Sequence, residues 1–399
     1  MDILIQPRLL QGKIQAIPSK SQAHRLLICA AFADGKTSLL CGQTSKDIAA
    51  TAACLEALGA KILRNDEGYH IAPIAKIPEK AVLPCGESGS TLRFLLPIVG
   101  ALGVDGIFEM EGRLSQRPLS PLWEEMERMG CKLQWIDNNH LRCSGQLQSG
   151  AYHIDGGVSS QFITGLLFAT SLLSSASQIN ILGNLESKEY VTMTQQAMGL
   201  FGVKTDGFHV AGKQVYHTPG QIVVEGDWSN GAFWLAAKAL GSAVEIYGLD
   251  EGSSQGDRAA LPTLQQLKAG YQQISAVDIP DLVPILAVAA SAFHGAEFTG
   301  IRRLRLKESD RVASVMAMLE QLGGKAEATE DTLTIYHGGL CGGVVDACND
   351  HRIAMAAAIA ATVCTESVTI LGAEAVNKSY PGFWDAYTDL GGHYEKLIR

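Results

Sequence analysis

The sequence predicts an α/β protein of two lobes, each holding three copies of one helix, strand, helix, strand unit. Three observations carry this. Six segments open with a polar cluster and run at once into an apolar, small-residue helix: SKSQAHRLLICAAFA, CGESGSTLRFLLPIV, DGGVSSQFITGLLFATSLL, EGDWSNGAFWLAAKAL, DIPDLVPILAVAASAF and CNDHRIAMAAAIAATV. Each leads to a β-rich segment, respectively KTSLLCG, GIFEMEG, QINILGN, AVEIYGL, AEFTGI and SVTILGA. A second, more amphipathic helix then ends in Leu-Gly or a near variant, as in SKDIAATAACLEALGAKI and SDRVASVMAMLEQLGGKAEA. The glycine suits the left-handed position just past a helix. Alternation alone occurs in any α/β protein, but chemistry shared by six helix openings points to a repeat.

In order along the chain, residues 1–18 read as a strand-like lead-in that fits either lobe. Pro18 closes that strand, and Ser19 or Ser21 is available to cap the first helix. The break between lobes falls near HTPGQIVVEGD, where Pro219 and Gly220 interrupt the pattern. Units one to three then occupy 19–218, and units four to six follow from 219 to 399.

At 399 residues and 47% hydrophobic content, the chain is long enough for a sizeable core in each lobe. Its net charge of −9 argues against nucleic acid or an anionic membrane as the main partner. The start, MDILIQPRLLQG, lacks a charged leader region, and no apolar run has the length of a membrane span, so a cytoplasmic protein is expected. The nine cysteines are scattered singly without a CxxC pair, which suits reduced core thiols and not a zinc site or a disulfide framework. Cys341 and Cys348 fit no metal-ligand spacing and read as buried thiols.

Helices that are apolar all round are buried, so their N-termini must surface somewhere useful. Several such ends at one face sum their dipoles and present free N–H groups, which makes an anion site. The openings fit this: Lys20, Ser21, His24 and Arg25; Ser88, Gly89, Ser90, Thr91 and Arg93; Ser159, Ser160 and Gln161; His351 and Arg352. The second helices add Arg117, Ser187, Lys188, Tyr190, Lys307, Arg311 and Lys378. A single cation of this kind is ordinarily a solvated surface residue. Gathered at equivalent points of a repeat in an acidic protein, they point to a ligand with several anionic groups, bound bidentately by arginine.

Two carboxylates fall within the cationic set, Asp281 in DIPDLVP and Glu308 in LRLKESDR. Asp281 also fits an N-cap, and Glu308 an ion pair with Lys307 or Arg311. Together they offer a proton acceptor and a donor, with Lys20 a third candidate. Asp310 and Asp350 read as caps or as orienters of Arg311 and Arg352. Other motifs fail: ADGKTS lacks the earlier glycine of a phosphate loop, and GSSQG lies in a long acidic loop, unlike a nucleophile elbow.

The ordered motifs IPSKSQAHR, CGESGSTLRF, EGRLSQRPLSPL, VSSQF, IPDLVP, LRLKESDR, NDHRIAMA and NKSYPGFW resemble the EPSP synthase family of enolpyruvyl transferases over residues 10 to 390. The resemblance implies a two-lobed inside-out α/β barrel of six βαβαββ units, three per lobe, with buried parallel helices pointing to the interlobe cleft and residues 1–18 joined to the second lobe. It implies transfer of the enolpyruvyl group of phosphoenolpyruvate to the 5-hydroxyl of shikimate 3-phosphate by a monomer, without metal or cofactor. By motif, Lys20, Ser21 and Arg25 touch both substrates. Ser159, Ser160, Gln161 and Ser187 hold shikimate 3-phosphate, with Asp281 and Lys307 on its hydroxyls. Gly89, Arg117, Arg311, Arg352 and Lys378 hold phosphoenolpyruvate. Asp281 and Glu308 resemble the family's proton-transfer pair, and His351 supports them. Glu87 and Arg303 stand where the family commonly has Asn, and Ile48 where it has a second Asp. The alternatives are the sister transferase acting on UDP-N-acetylglucosamine, against which KSQAHR and SSQ speak, and a non-catalytic anion-binding relative.

Overall fold

In the computed structural model, which describes residues 1–397, a helix follows each of the six openings and a second helix follows each strand. The chain divides into two units, a central one of Pro18–Val224 and a terminal one of Met1–Ile17 with Glu225–Arg399.

The central unit contains α1 (Lys20–Ala31), α2 (Lys46–Ala57), α3 (Gly89–Leu102), α4 (Leu122–Arg128), α5 (Ser160–Leu172) and α6 (Lys188–Leu200). Its strands form three separate four-stranded sheets of one design. Strand Lys80–Gly86 lies parallel to Asp105–Met110 across α3, and Asp105–Met110 then pairs antiparallel with the second strand of a hairpin, His140–Gly145. The sheet built on Ala151–Asp155 and Ser177–Leu182 repeats this order. In the remaining sheet the first place is taken by the unit's last strand, Gln221–Val223, parallel to Thr37–Leu40. That pairing holds the chain in this unit through Val224, six residues beyond the boundary of 218 expected from Pro219 and Gly220.

The burial of α3 and α5 differs in kind from that of the second helices. Twelve of the 14 residues of α3 and 11 of the 13 of α5 are buried, against five of 12 in α2. The first set is apolar around its circumference and the second is an amphipathic cover. Gly165 lets α5 meet α3 at backbone distance: a Cβ there would sit 2.3 Å from the carbonyl oxygen of Arg93.

The terminal unit contains α7 (Trp228–Ala239), α8 (Ala260–Ala269), α9 (Val283–Ala292), α10 (Arg311–Gln321), α11 (His351–Ala361) and α12 (Phe383–Asp389). All 11 residues of α11 and nine of the ten in α9 are buried. Gly323 takes the expected left-handed φ of +83° just past α10, whereas Gly270, which ends α8, is extended at φ 168°. The sheet of Gln272–Ser275, Ala296–Thr299, Thr332–Tyr336 and Lys325–Ala328 has the same design. So does the sheet of Gly343–Asp346 and Val368–Leu371, which the N-terminal strand Asp2–Ile5 and Tyr394–Leu397 complete. The lead-in thus belongs with this unit. The fourth repeat departs from the expected βαβαββ pattern, because Gln11–Gln15 and Ala243–Tyr247 pair with each other alone. After α8 the chain passes directly to Gln272 without a hairpin.

Two expected thiols are also corrected. Cys341 and Cys348 are exposed while the other seven are buried, because both lie in loops bordering strand Gly343–Asp346. Among the described residues no helix is long and apolar enough to cross a membrane.

Candidate active site

In the central unit the starts of α1, α3 and α5 are laced together. Ser19, not Ser21, caps α1, accepting from the Gln22 amide at 3.3 Å. Lys20 follows, with Nζ 2.8 Å from Asp47 Oδ2 on α2 and both side chains mostly buried. Charge pairing of this kind holds the ammonium in place at a helix start that opposes it. Ser88 caps α3 through the Thr91 amide, and Ser159 caps α5 through the Gln161 amide. Gln161 binds across to α3 with both ends of its amide, accepting from Arg93 Nη1 and donating to Ser90 Oγ at 3.0 Å each. Arg117 lies over the first turn of α3, where a Cβ on Gly89 would be 2.5 Å from its Nη1. Ser187 precedes α6 in the left-handed region at φ +53° and is 1% exposed, a backbone conformation a serine holds only under tertiary constraint. Ser160 is buried while Ser21, Ser159 and Gln161 are partly accessible.

Two members of the cationic set on α1 are buried. Arg25 is 2% exposed, and its guanidinium donates to Ser21 O, Tyr190 O and Thr194 Oγ1 at 2.6, 3.0 and 2.8 Å. It ties α1 to α6 and packs on the Phe94 ring, and burial brings its pKa down to about 10. His24 is not a cation at the helix mouth. It is fully buried, and burial, with Lys20 and Arg25 nearby, holds its pKa well below the usual histidine value.

In the terminal unit the sequence's two carboxylates meet on one buried arginine. Arg311, 1% exposed, donates through Nη1 to Asp281 Oδ1 and through Nη2 to Glu308 Oε2, each at 2.6 Å, and through Nε to Asp350 Oδ2 at 2.9 Å. Asp281 does not cap α9, whose start carries no side-chain cap. Instead it has Lys307 Nζ at 3.3 Å and Arg352 Nη2 at 3.4 Å as well. Burial alone would raise its pKa, but Arg352, Lys307 and Arg311 overcome this and hold it well below the carboxylate range. Lys307 is brought down to about 8, burial outweighing the attraction of Asp281. Asp350 both caps α11, accepting from the Arg352 amide at 2.9 Å, and anchors Arg311, while Asp310 caps α10. Lys378 Nζ donates to Asn349 O at 2.7 Å, fixing the turn in which Cys348 and Asn349 both have positive φ. His351 is buried behind this turn at the start of α11.

Some members of these networks carried no signal in the sequence reading. Asp257, 4% exposed, is raised to about 6 by burial and by Asp281. Its only sequence mark is the QGD that ends the loop of the failed GxSxG motif, where Ser253, the residue before the motif's Ser254, is buried and accepts from the Gln255 amide. Thr51, Thr164 and Thr194 are buried hydroxyls on helix faces that otherwise read as core. Chemically, the central unit offers cations, hydroxyls and helix-start amides suited to anionic oxygens. The terminal unit offers Asp281 and Asp350, whose pKa values the neighbouring cations hold down, and Lys307, which burial lowers to about 8.

Comparison with known proteins agrees with this chemistry. The family model for EPSP synthase (3-phosphoshikimate 1-carboxyvinyltransferase) matches residues 5–387. The chain is 39% identical to the 3-phosphoshikimate 1-carboxyvinyltransferase of Clostridium kluyveri, covering 99% of this chain and 98% of that protein. It is 37% identical to the protein of the same name from Clostridium acetobutylicum, covering 98% and 97%. In fold it is similar to an EPSP synthase from Acinetobacter baumannii, with a TM-score of 0.78 at 21% identity over 99% of this chain and all of the other. It is also similar to the enolpyruvyl transferase NikO from Streptomyces tendae, with a TM-score of 0.77 at 15% identity over all of this chain and 99% of that one.

Proposed function

The chain belongs to the EPSP synthase family, and from that premise we propose that it transfers the enolpyruvyl group of phosphoenolpyruvate to the 5-hydroxyl of shikimate 3-phosphate, releasing phosphate. One observation carries the reading furthest: Asp281 and Glu308 are held by the same buried guanidinium at 2.6 Å each. In the addition step the 5-oxygen bonds to C2 of phosphoenolpyruvate and loses its proton to a carboxylate, while the CH2 carbon gains a proton. In the elimination step the C2–O bond to phosphate breaks and a proton leaves the new methyl group, restoring the double bond. Each step needs one group to take a proton and one to give it, and Asp281, Glu308 and Lys20 are the candidates.

For binding, Lys20, Ser21, Arg25, Ser159, Ser160, Gln161, Ser187, Asp281 and Lys307 are assigned to shikimate 3-phosphate, with Arg25 also securing the α1 start. Lys20, Gly89, Arg117, Arg352 and Lys378 are assigned to phosphoenolpyruvate. Arg311, engaged by three carboxylates, joins that set by releasing one of them. The reading treats the protein as a cytoplasmic monomer. The test is phosphate release from phosphoenolpyruvate with shikimate 3-phosphate and, in parallel, with UDP-N-acetylglucosamine. Release with the first alone is expected; release with the second alone, or with neither, overturns the reading.

A further inference from the structure

Behind the helix starts of the central unit runs a chain of four buried side chains. His24 Nδ1 is 2.7 Å from Thr51 Oγ1, Thr51 Oγ1 is 2.7 Å from Thr91 Oγ1, and Thr91 Oγ1 donates to Ser88 Oγ at 2.7 Å. The four residues are 0–1% exposed and belong to α1, α2 and the start of α3. The Thr91 hydroxyl also leans toward the Asp47 carbonyl at 3.4 Å, in the turn of α2 that brings the Asp47 carboxylate to Lys20.

Each hydroxyl has one proton, so the direction of the chain can be worked out. Thr91 directs its proton to Ser88 Oγ. The contact between Thr51 and Thr91 therefore requires Thr51 to donate, and the contact between His24 and Thr51 requires Nδ1 to carry the ring's proton. Nε2, buried and without a hydrogen-bond partner, is then the bare nitrogen. A second proton there would be a buried donor with nothing to bind, which agrees with an imidazole that stays neutral.

We propose that His24 is a positioning residue: as the neutral Nδ1–H tautomer it fixes the polarity of the His24, Thr51, Thr91 and Ser88 chain, and so holds the start of α3 and the Lys20–Asp47 pair in register for phosphoenolpyruvate. The second half of this rests on the substrate reading above; the tautomer does not. A histidine protonated on Nε2 would compete for the Thr51 proton and uncouple α2 from α3.

The experiment has two arms. Nitrogen-15 spectra of histidine-labelled wild-type protein should show His24 with a protonated Nδ1 and a bare Nε2; the opposite tautomer overturns the proposal whether or not the protein turns over the expected substrates. In kinetics, His24→Leu and Thr51→Val should each raise KM for phosphoenolpyruvate by about three- to tenfold, the worth of one neutral hydrogen bond. KM for shikimate 3-phosphate should rise by less, since Lys20 is paired through Asp47 beside the chain while the α5 and α6 residues assigned to that substrate lie outside it. His24→Asn, which keeps an N–H near the same place, should restore the wild-type KM. The double variant should be no worse than either single one, because both interrupt the same chain. Equal rises in both KM values, additive effects, or failure of His24→Asn to rescue would reduce His24 to a general packing residue and overturn the proposal. Should His24→Leu not fold, Thr51→Val and the tautomer still decide.

Discussion

Replacing Arg311 by leucine tests whether one arginine organises the terminal unit's carboxylates. Its guanidinium and the Asp350 carboxylate are 1% and 0% exposed and 2.9 Å apart, so removing the cation leaves Asp350 ionised in the interior. Breaking a buried pair in this way costs about 3–5 kcal/mol. Asp281 and Glu308, at 17% and 21% exposure, add little to that figure, because solvent screens them and Asp281 keeps Lys307 and Arg352. The sign with pH follows from Asp350. Burial would raise its pKa, but Arg311 overcomes this and holds it below the ordinary carboxylate value. In the wild type the pair's stabilisation is therefore complete above the unfolded pKa of about 3.9 and is lost only as pH falls through the lower folded value. In the variant burial, joined by the charge of Glu308, outweighs the weaker pull of His351 and raises the pKa, so protonation relieves the strain as pH is lowered from 8 toward 5. The gap between the two proteins should be widest near pH 8 and narrow at pH 5. Urea unfolding followed by tryptophan fluorescence measures it, since Trp228, Trp234 and Trp384 all lie in this unit. A gap under about 1 kcal/mol, or one that does not change with pH, would refute the reasoning.

Three further outcomes follow. Asp281→Asn and Glu308→Gln should each lower kcat by about 10²-fold with a smaller change in either KM, measured by steady-state phosphate release; near-normal kcat in both would remove them from proton transfer. Cys348→Gly should raise the unfolding midpoint by an amount worth about 0.5–1 kcal/mol, since Cys348 sits at φ +51° where only glycine is unstrained, and an unchanged midpoint would deny that strain. Gly165→Val should cost about 3 kcal/mol or more, because its Cβ would meet the Arg93 carbonyl at 2.3 Å and force α5 from α3. Its KM for shikimate 3-phosphate should rise with it, as Gln161 loses its hold on Arg93 and Ser90.

The order of helices and strands was legible where boundaries are written locally. A serine or aspartate caps α1, α3, α5, α10 and α11 within three residues of the amide it serves, and the glycine that ends α10 follows its last turn. The partners of the site residues were legible only in part. Asp281 and Glu308 could be singled out as carboxylates within a cationic set, but their common tether, Arg311, is 30 residues from Asp281 and 39 from Asp350. The neutrality of His24 is not legible for a physical reason: from sequence a histidine beside Lys20 and Arg25 counts as charge, and only burial and the Thr51 contact, 27 residues away, make it neutral. The burial of Arg25 is hidden from the sequence for the same reason. Its partners Thr164 and Thr194 are 139 and 169 residues distant and look like ordinary core-helix residues. The lobe boundary at 218 followed Pro219 and Gly220, yet strand pairing across 183 residues, Gln221 with Ser38, carries the chain past them.

The fourth repeat shows what the repeat pattern could not convey. Its helix α7 opens on acids. Asp227 Oδ1 accepts from the Asn230 amide at 2.7 Å and Gln255 Oε1 from the Trp228 amide at 3.0 Å, so the first turn is bonded to protein side chains. Burial raises Glu225 and Asp257 close by, and the charge of Arg352 acts on Asp257. This opening therefore supplies negative charge to its cationic neighbours and does not join the others as an anion site. The same repeat is the one whose sheet stops at two strands. A two-stranded ribbon with both edges open invites pairing with another chain unless its edges are charged or short. Here both strands are five residues long, and Lys13 and Glu245 face each other across the pair, 3.7 Å apart and largely exposed. A foreign strand adding to either edge would have to desolvate one of those charges, which keeps the shortened sheet from acting as a template.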